Sequence, residues 1–362
     1  MPHCLLLLVQ FRGEKQTNPS IVMEEISLSS IQETRQEEHN SDWGAISSAV
    51  ILTAGMLIIV QIMVERPMLM VDRFFPGMGW IEIVALSLYA GFITPKILNP
   101  KTSIRWRTIL WLTFSIIFFS QLTLGILGFE HFLMTGKLHL PIPALIIAGP
   151  VYRGGDFFML ILFTCTLLII GPAWCSYFCY LGGWDFLASQ QIKRPRSMPK
   201  WRQSLRLTLL VLVVGTAYFL RQSGISVSVA IWLAAAFGLV GISIMLFISR
   251  RQGIMVHCIT YCPIGAVANV LGKISPFRLR INNSCSGCHK CSTVCRYDAL
   301  RPENLERNTP GMSCTLCGDC IGSCKHHFIQ YSFPGMSPQM ARRMFVVFVV
   351  SFHAVSIGIA RI

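Results

Sequence analysis

The sequence predicts an α-helical integral membrane bundle of about seven transmembrane helices, with a small α+β domain inserted before the last of them. Three observations carry this expectation. Hydrophobic residues make up 53% of the 362 and charged residues only 13%, against about 25% charged in ordinary soluble domains. Uncharged apolar runs recur along the chain at lengths that cross roughly 30 Å of hydrocarbon. Finally, eight of the 14 cysteines crowd residues 285–324, a short and more polar stretch between two apolar runs. Mean hydropathy is +0.55. Such a chain is neither disordered nor nucleic-acid binding, despite a net charge of +14. Basic excess in so apolar a protein marks loops retained on the cytoplasmic side of a membrane.

The N-terminal residues 1–43 read as a loose acidic tail. Leu5–Val9 is too short for a signal-peptide core, and seven acids fall within Glu14–Asp42. The first span is Gly44–Val64, with 21 uncharged residues. The next candidate, 79–98, is the weakest, because Glu82, Pro95 and Lys96 interrupt it. Thr108–Phe129 offers 22 uncharged residues. Leu138–Pro150 is short and carries three prolines, so it reads as a re-entrant or interfacial segment. Phe157–Trp184 is uncharged throughout, its first part being the span. Leu207–Leu220 has only 14 residues, but Arg206 and Arg221 at its ends can snorkel to the interfaces and let it cross. Val227–Ser249 and Met344–Ala360 complete the set.

Basic residues set the orientation. Lys193–Arg206 carries six Lys or Arg and no acid, Lys101–Arg107 carries three, and 130–156 only two. Placing the rich loops inside gives seven spans, with the N-terminus in the cytoplasm and the C-terminus outside. The predicted organisation is a tail (1–43), a helical membrane domain (44–274), a cytoplasmic cysteine-rich domain (275–332) and a final helix (333–362).

The chemistry lies between the last two spans. Cys285-x2-Cys288-x2-Cys291-x3-Cys295 is followed by Cys314-x2-Cys317-x2-Cys320-x3-Cys324. Three thiolates at two-residue intervals cover three corners of a cubane, and the fourth cysteine turns away to the other cluster. That wiring assigns Cys285, Cys288, Cys291 and Cys324 to one [4Fe–4S] centre, and Cys314, Cys317, Cys320 and Cys295 to a second. Structural zinc prefers two separated CxxC pairs around one ion and fits this pattern poorly. Arg296 and Lys325 stand where a proline usually follows the fourth cysteine. A further set, Cys175/Cys179 and Cys258/Cys262, recurs as CxxxC-x2-Gly after a helix pair, an internal repeat. On a helix, residues four apart share a face, so each pair can offer two thiols to one centre. Both pairs fall on the expected cytoplasmic side.

This order of helix pair, CxxxC, helix pair, CxxxCP and double CxxCxxCxxxC resembles the membrane polyferredoxins. That family includes the quinol-dehydrogenase subunit of periplasmic nitrate reductase, the membrane protein of nitrous-oxide reductase maturation and an iron–sulfur protein of cytochrome oxidase assembly that handles copper. The resemblance covers roughly residues 105–330. Cys262-Pro263 matches the family pattern, whereas Tyr180 replaces the first proline, so the resemblance carries over less firmly to Cys175 and Cys179. It implies an electron-transfer protein of the prokaryotic inner membrane, with a double-cluster ferredoxin-like domain facing the cytoplasm, working beside quinone and a partner redox enzyme or cytochrome.

Three function classes follow. The preferred reading is a relay of electrons between the quinone pool and a partner redox protein, a quinol-dehydrogenase-type component. The positive inner loops would also attract an acidic donor such as a soluble ferredoxin. A second reading is an assembly or maturation reductase, with the CxxxC pairs binding copper or cycling as thiols; apart from it, the four thiols could hold a further metal centre. A third is a redox-sensing regulator or transporter, which should show charges within its spans, and the clear runs show none. His131, His139 and Arg153 in the outer loop, with Tyr152, are candidates for a quinone site. His353 is the single histidine inside a clear span, one ligand short of an intramembrane bis-histidine haem. Glu82 reads as an end-of-helix charge, and His326 and His327 as neighbours of a cluster rather than ligands. Cys4 and Cys165 have no partner at useful spacing.

Overall fold

In the computed structural model, residues 42–64, 67–132 and 140–359 are described. Tail residues 1–41 and His139 lie outside them, Cys4 among the former; Asp42 and Trp43, expected in the tail, begin the first helix instead. Seven helices among these residues are long and apolar enough to cross a membrane: α1 (Asp42–Met63), α2 (Gly79–Leu98), α3 (Ser103–Ile126), α4 (Phe158–Tyr177), α5 (Arg202–Gln222), α6 (Val227–Gln252) and α7 (Pro338–Ile359). Their outward faces carry large exposed apolar side chains, among them Ile59, Phe92, Val211, Phe219, Trp232 and Phe247. An apolar surface of that extent is what lipid contact requires. From Ala45 to Ile362 the chain forms one compact unit.

Even the weakest predicted span is a full helix. Pro95 sits in the last turn of α2, so the one donor it withholds, from the Gly91 carbonyl, interrupts the ladder only where the helix is about to stop. Glu82, in the first turn of α2, accepts the backbone N–H of Val71 at 2.9 Å, as an end-of-helix charge does. The proline-rich segment after α3 yields only the nine-residue helix Leu145–Arg153, too short to span, and it packs against α5. In α4, a 3-10 turn at Gly171–Ala173 interrupts the helix where Gly171 adopts a φ of +64° and Pro172 follows. The last turns of α6 widen into a π-helix over Ile244–Ser249 before Gly253, at φ +70°, ends it.

The α5 expectation needs correction at one end. Helix α5 begins at Arg202, and Arg206 does not snorkel: its side chain points into the protein, with the residue only 4% exposed, and donates to the Cys258 carbonyl at 3.3 Å. Arg221 at the other end stays exposed. The interior partner wins over the interface because Arg206 faces packed protein rather than lipid.

Between α6 and α7 lie the helix Pro263–Leu271 and two strands, β1 (Arg278–Ile281) and β2 (Ile329–Ser332). They pair antiparallel, Arg278 opposite Ser332 and Ile281 opposite Ile329. Leu279, Ile281, Ile329 and Tyr331 alternate onto one buried face, and Tyr331 stacks on Phe345 of α7 with centroids 4.6 Å apart. This two-stranded sheet brackets the cysteine-rich segment and sets it on the start of α7. In the bundle itself, α7 packs along α2, and buried His353 of α7 bonds through Nε2 to the Leu110 carbonyl of α3 at 3.0 Å.

Candidate metal centres

The two cysteine motifs are built as structural repeats. Each begins as a loop and ends in a five-residue helix, Lys290–Val294 in one copy and Asp319–Ser323 in the other. Left-handed backbone occurs at matching positions in both: Gly287 and Leu316, His289 and Gly318, Asp298 and His327. Only one member of each of the first two pairs is glycine, so Leu316 and His289 hold a conformation costly for their residue types. The loop shape therefore overrides local preference, turning successive cysteines to one side.

Two cavities result. The first is lined by Cys285, Cys288, Cys291 and Cys324, above Leu305, Phe328 and Ile329. The second is lined by Cys295, Cys314, Cys317 and Cys320, with Leu279, Tyr297 and Leu300. In each, three cysteines come from one motif and the fourth from the other, the grouping that the spacing argument pairs. No group of three or more His, Cys, Asp or Glu among the described residues stands as a site for a single metal ion.

The cavities differ in setting. His289, Lys290, Lys325 and His326 line the first and are exposed, as is Cys288. None of the residues lining the second is exposed. Tyr177 donates to the Cys317 carbonyl at 3.1 Å, Ser176 to the Thr315 carbonyl at 3.1 Å, and Tyr331 to the Leu316 carbonyl at 2.6 Å. The Arg107 guanidinium of α3 grips Asp319, between Cys317 and Cys320. Burial pushes the Cys295, Cys314 and Cys317 thiols up to about 12; the Ala299 N–H donates to the Cys295 sulfur at 3.4 Å and opposes it there. Thiols in such a place become thiolates when a cationic group compensates their charge.

The two cations in the proline positions have separate fates. Arg296 is buried and donates to the carbonyls of Ile192 and Gly253, at 2.8 and 2.7 Å, so it ties the end of the first motif, beside Cys295, to the α6 end. Lys325 stands on the rim of the first cavity. Nearby, Asp298 pairs with both Arg202 and Arg301.

The remaining four cysteines meet in the core. Cys175, Cys179 and Cys262 are buried and Cys258 nearly so, and the Cys258 thiol feels Cys179, Cys262 and Cys175 together. The pairs do not lie on continuous α-helix, as the shared-face argument assumes. Cys179 lies past the end of α4, and Cys258 sits in a π-turn, His257–Tyr261, that ends in extended backbone at Cys262. Both pairs close the same wide turn: Cys179 N–H bonds to the Trp174 carbonyl and Cys262 N–H to the His257 carbonyl, at 3.1 and 2.8 Å. The chain then returns past the first cysteine, at Gly182 in one copy and Gly265 in the other. Gly182 and Gly265 make the return possible. A Cβ would stand 3.0 Å from the Cys175 carbonyl oxygen at Gly182, and 2.8 Å from that of Cys258 at Gly265. Around the thiols, Asp185 accepts the Cys258 N–H at 3.0 Å, and burial pushes its carboxyl up to about 6. Tyr297, which lines the second cavity, reaches the Cys175 carbonyl at 3.5 Å.

Sequence reasoning did not find Arg107, Arg206, Asp185 or Tyr297. The charged ones were visible only as residues near span ends. The outer-loop candidates have different neighbours: His131 packs against Phe74, Arg153 pairs with Asp156 at 3.2 Å, and Tyr152 donates to the Ile225 carbonyl at 2.8 Å. Cys165 is exposed on α4.

An uncharacterized protein of Methanocaldococcus jannaschii is 25% identical over 188 residues, covering 48% of this chain and 77% of that protein. YccM of Escherichia coli K12, provisionally named as an electron transport protein, is 24% identical over 226 residues, covering 55% of this chain and 58% of YccM. No family model matches the chain, and no solved structure matches it.

Proposed function

We propose that this chain is a membrane iron–sulfur electron-transfer protein, in which the eight cysteines of the double motif hold two [4Fe–4S] clusters. The observation that carries the reading is the crossed lining of the two cavities, four cysteines in each. The seven membrane-compatible helices and the distant likeness to YccM support a membrane electron-transfer role. The donor set fits the group, since each cavity offers four thiols, and the Ala299 N–H already aimed at the Cys295 sulfur favours its anionic form.

When bound, the clusters supply one-electron chemistry; the chain supplies position and field. The first cavity opens between exposed cations and suits exchange with a partner protein. The second, walled by Tyr177, Tyr297 and the Arg107–Asp319 pair, lies toward the membrane core. In this proposal residues 275–332 form a ferredoxin-like domain on the cytoplasmic side of the inner membrane. Electrons pass between the quinone pool and a partner redox enzyme or cytochrome, with His131, His139 and Arg153 as candidate quinone contacts. Iron and acid-labile sulfide analysis of the purified protein tests the assignment. Cys288→Ser and Cys317→Ser should each remove one paramagnetic centre, about four irons. Stoichiometric zinc without sulfide would overturn it.

A further inference from the structure

We propose that Cys175, Cys179, Cys258 and Cys262 together hold a third iron–sulfur centre, whose negative charge is balanced by the buried guanidinium of Arg206. The inference deepens the electron-transfer reading and rests on different residues. Its first support is that thiols from two distant parts of the chain come together: Cys175 and Cys262 pack in one buried cluster, and half-buried Cys258 lies within electrostatic range of Cys175, Cys179 and Cys262. Its second is the backbone: the N–H of each second cysteine closes the same wide turn, Cys179 to the Trp174 carbonyl at 3.1 Å and Cys262 to the His257 carbonyl at 2.8 Å, so the two repeats present their sulfurs in the same way.

The third support is Arg206. It is 4% exposed, and its Nε has no hydrogen-bond partner among the described residues. Cys262 and Cys175 are the groups it feels most strongly, with Cys258 also in range. A buried guanidinium without a counter-charge is costly in a membrane interior. Four thiolates around an iron–sulfur core carry net negative charge and supply the missing partner. A single ion held at about 2.3 Å would draw the four sulfurs to roughly 3.8 Å of one another. Bridging sulfides let the same four ligands hold a larger core. The place also suits a relay, because Tyr297 links it to the second cavity through the Cys175 carbonyl.

The test is iron, copper and acid-labile sulfide content of the full chain, purified anaerobically, with spectra of the reduced protein. Wild type should carry two to four irons beyond the roughly eight of the double motif. A Cys258→Ser/Cys262→Ser variant should fall to about eight while both double-motif signals persist, which also shows that it folds. Arg206→Met should lower the potential of the extra centre or lose it, and Arg206→Lys should restore it in part. About eight irons in wild type, unchanged by the double variant, overturns this proposal alone. One copper per chain lost in the double variant also overturns it, whereas absence of iron altogether overturns the two-cluster reading as well.

Discussion

Arg107 and Asp319 form a two-pronged ion pair: Nε donates to Oδ1 at 2.8 Å and Nη2 to Oδ2 at 2.6 Å. Both side chains are sealed, 1% and 7% exposed. The pair joins membrane helix α3 to the helix that carries Cys320. Arg107 also donates to the Ser176 carbonyl and lies over the Trp111 and Phe186 rings, so it fastens three parts of the chain around the second cavity.

Arg107→Met should therefore leave Asp319 as an uncompensated buried charge and destabilise the protein by about 3–5 kcal/mol. Arg107→Lys should recover little, because an ammonium lacks the planar fork. Thermal unfolding in detergent reads the stability, and spectra of the two centres read the locality. Loss confined to the second centre is expected; equal loss of both would show a general folding defect.

Much of this arrangement is legible in the sequence. Seven spans follow from gaps between charges, and the two sets of four cysteines that line the cavities follow from a spacing whose fourth member turns away. What escapes is the direction of arginines at span ends. Arg107, Arg202 and Arg206 look like interface anchors, yet each turns inward to a carboxylate or carbonyl, because the soluble segment caps that end of the bundle. The turn chemistry escapes as well. Leu316 carries no left-handed preference, and only the closed loop demands it.

The side of the membrane is testable through contacts between loops. Lys200, in the basic segment before α5, pairs with Glu303 at 3.6 Å, and Met198 N–H donates to Asp298 at 3.0 Å. The basic loop and the cysteine-rich segment must then share a side. Reporters fused at Lys200 and within Pro302–Pro310 should both behave as cytoplasmic, and a fusion after Ile362 as external. Opposite behaviour of the first two would contradict the fold; inversion of all three would overturn only the charge-based orientation.

The rim of the first cavity makes a prediction about partners. Lys290 and Lys325 are exposed beside Cys288 and Cys324, and an acidic electron-transfer protein would be steered to them. A Lys290→Glu/Lys325→Glu variant should slow electron exchange with an acidic soluble ferredoxin at low salt by at least about tenfold. Its rate should also respond much less to ionic strength. Wild-type salt dependence in the variant would place the docking surface elsewhere.

The glycines of the repeated CxxxC-x2-Gly turn allow a sharper test of the thiol core. At Gly265 a Cβ would come 2.8 Å from the Cys258 carbonyl oxygen, and the contact is backbone, so no side chain can swing aside. At Gly182 the clash is with the Cys175 carbonyl at 3.0 Å and also with the Trp111 ring at 2.4 Å, whose indole N–H is held by the Cys179 carbonyl. Either alanine must push the second cysteine away from the first. The cost should be about 1–3 kcal/mol, the range for overpacking in a filled core. Gly215 on α5 provides the control, since nothing lies within 4 Å of its missing Cβ. Gly215→Ala should leave stability unchanged or raise it slightly. Thiol labelling in detergent separates the readouts: Gly265→Ala and Gly182→Ala should expose core thiols to a maleimide below the unfolding midpoint, and Gly215→Ala should not. If the three variants label alike, the two returns of the chain do not shape the thiol core.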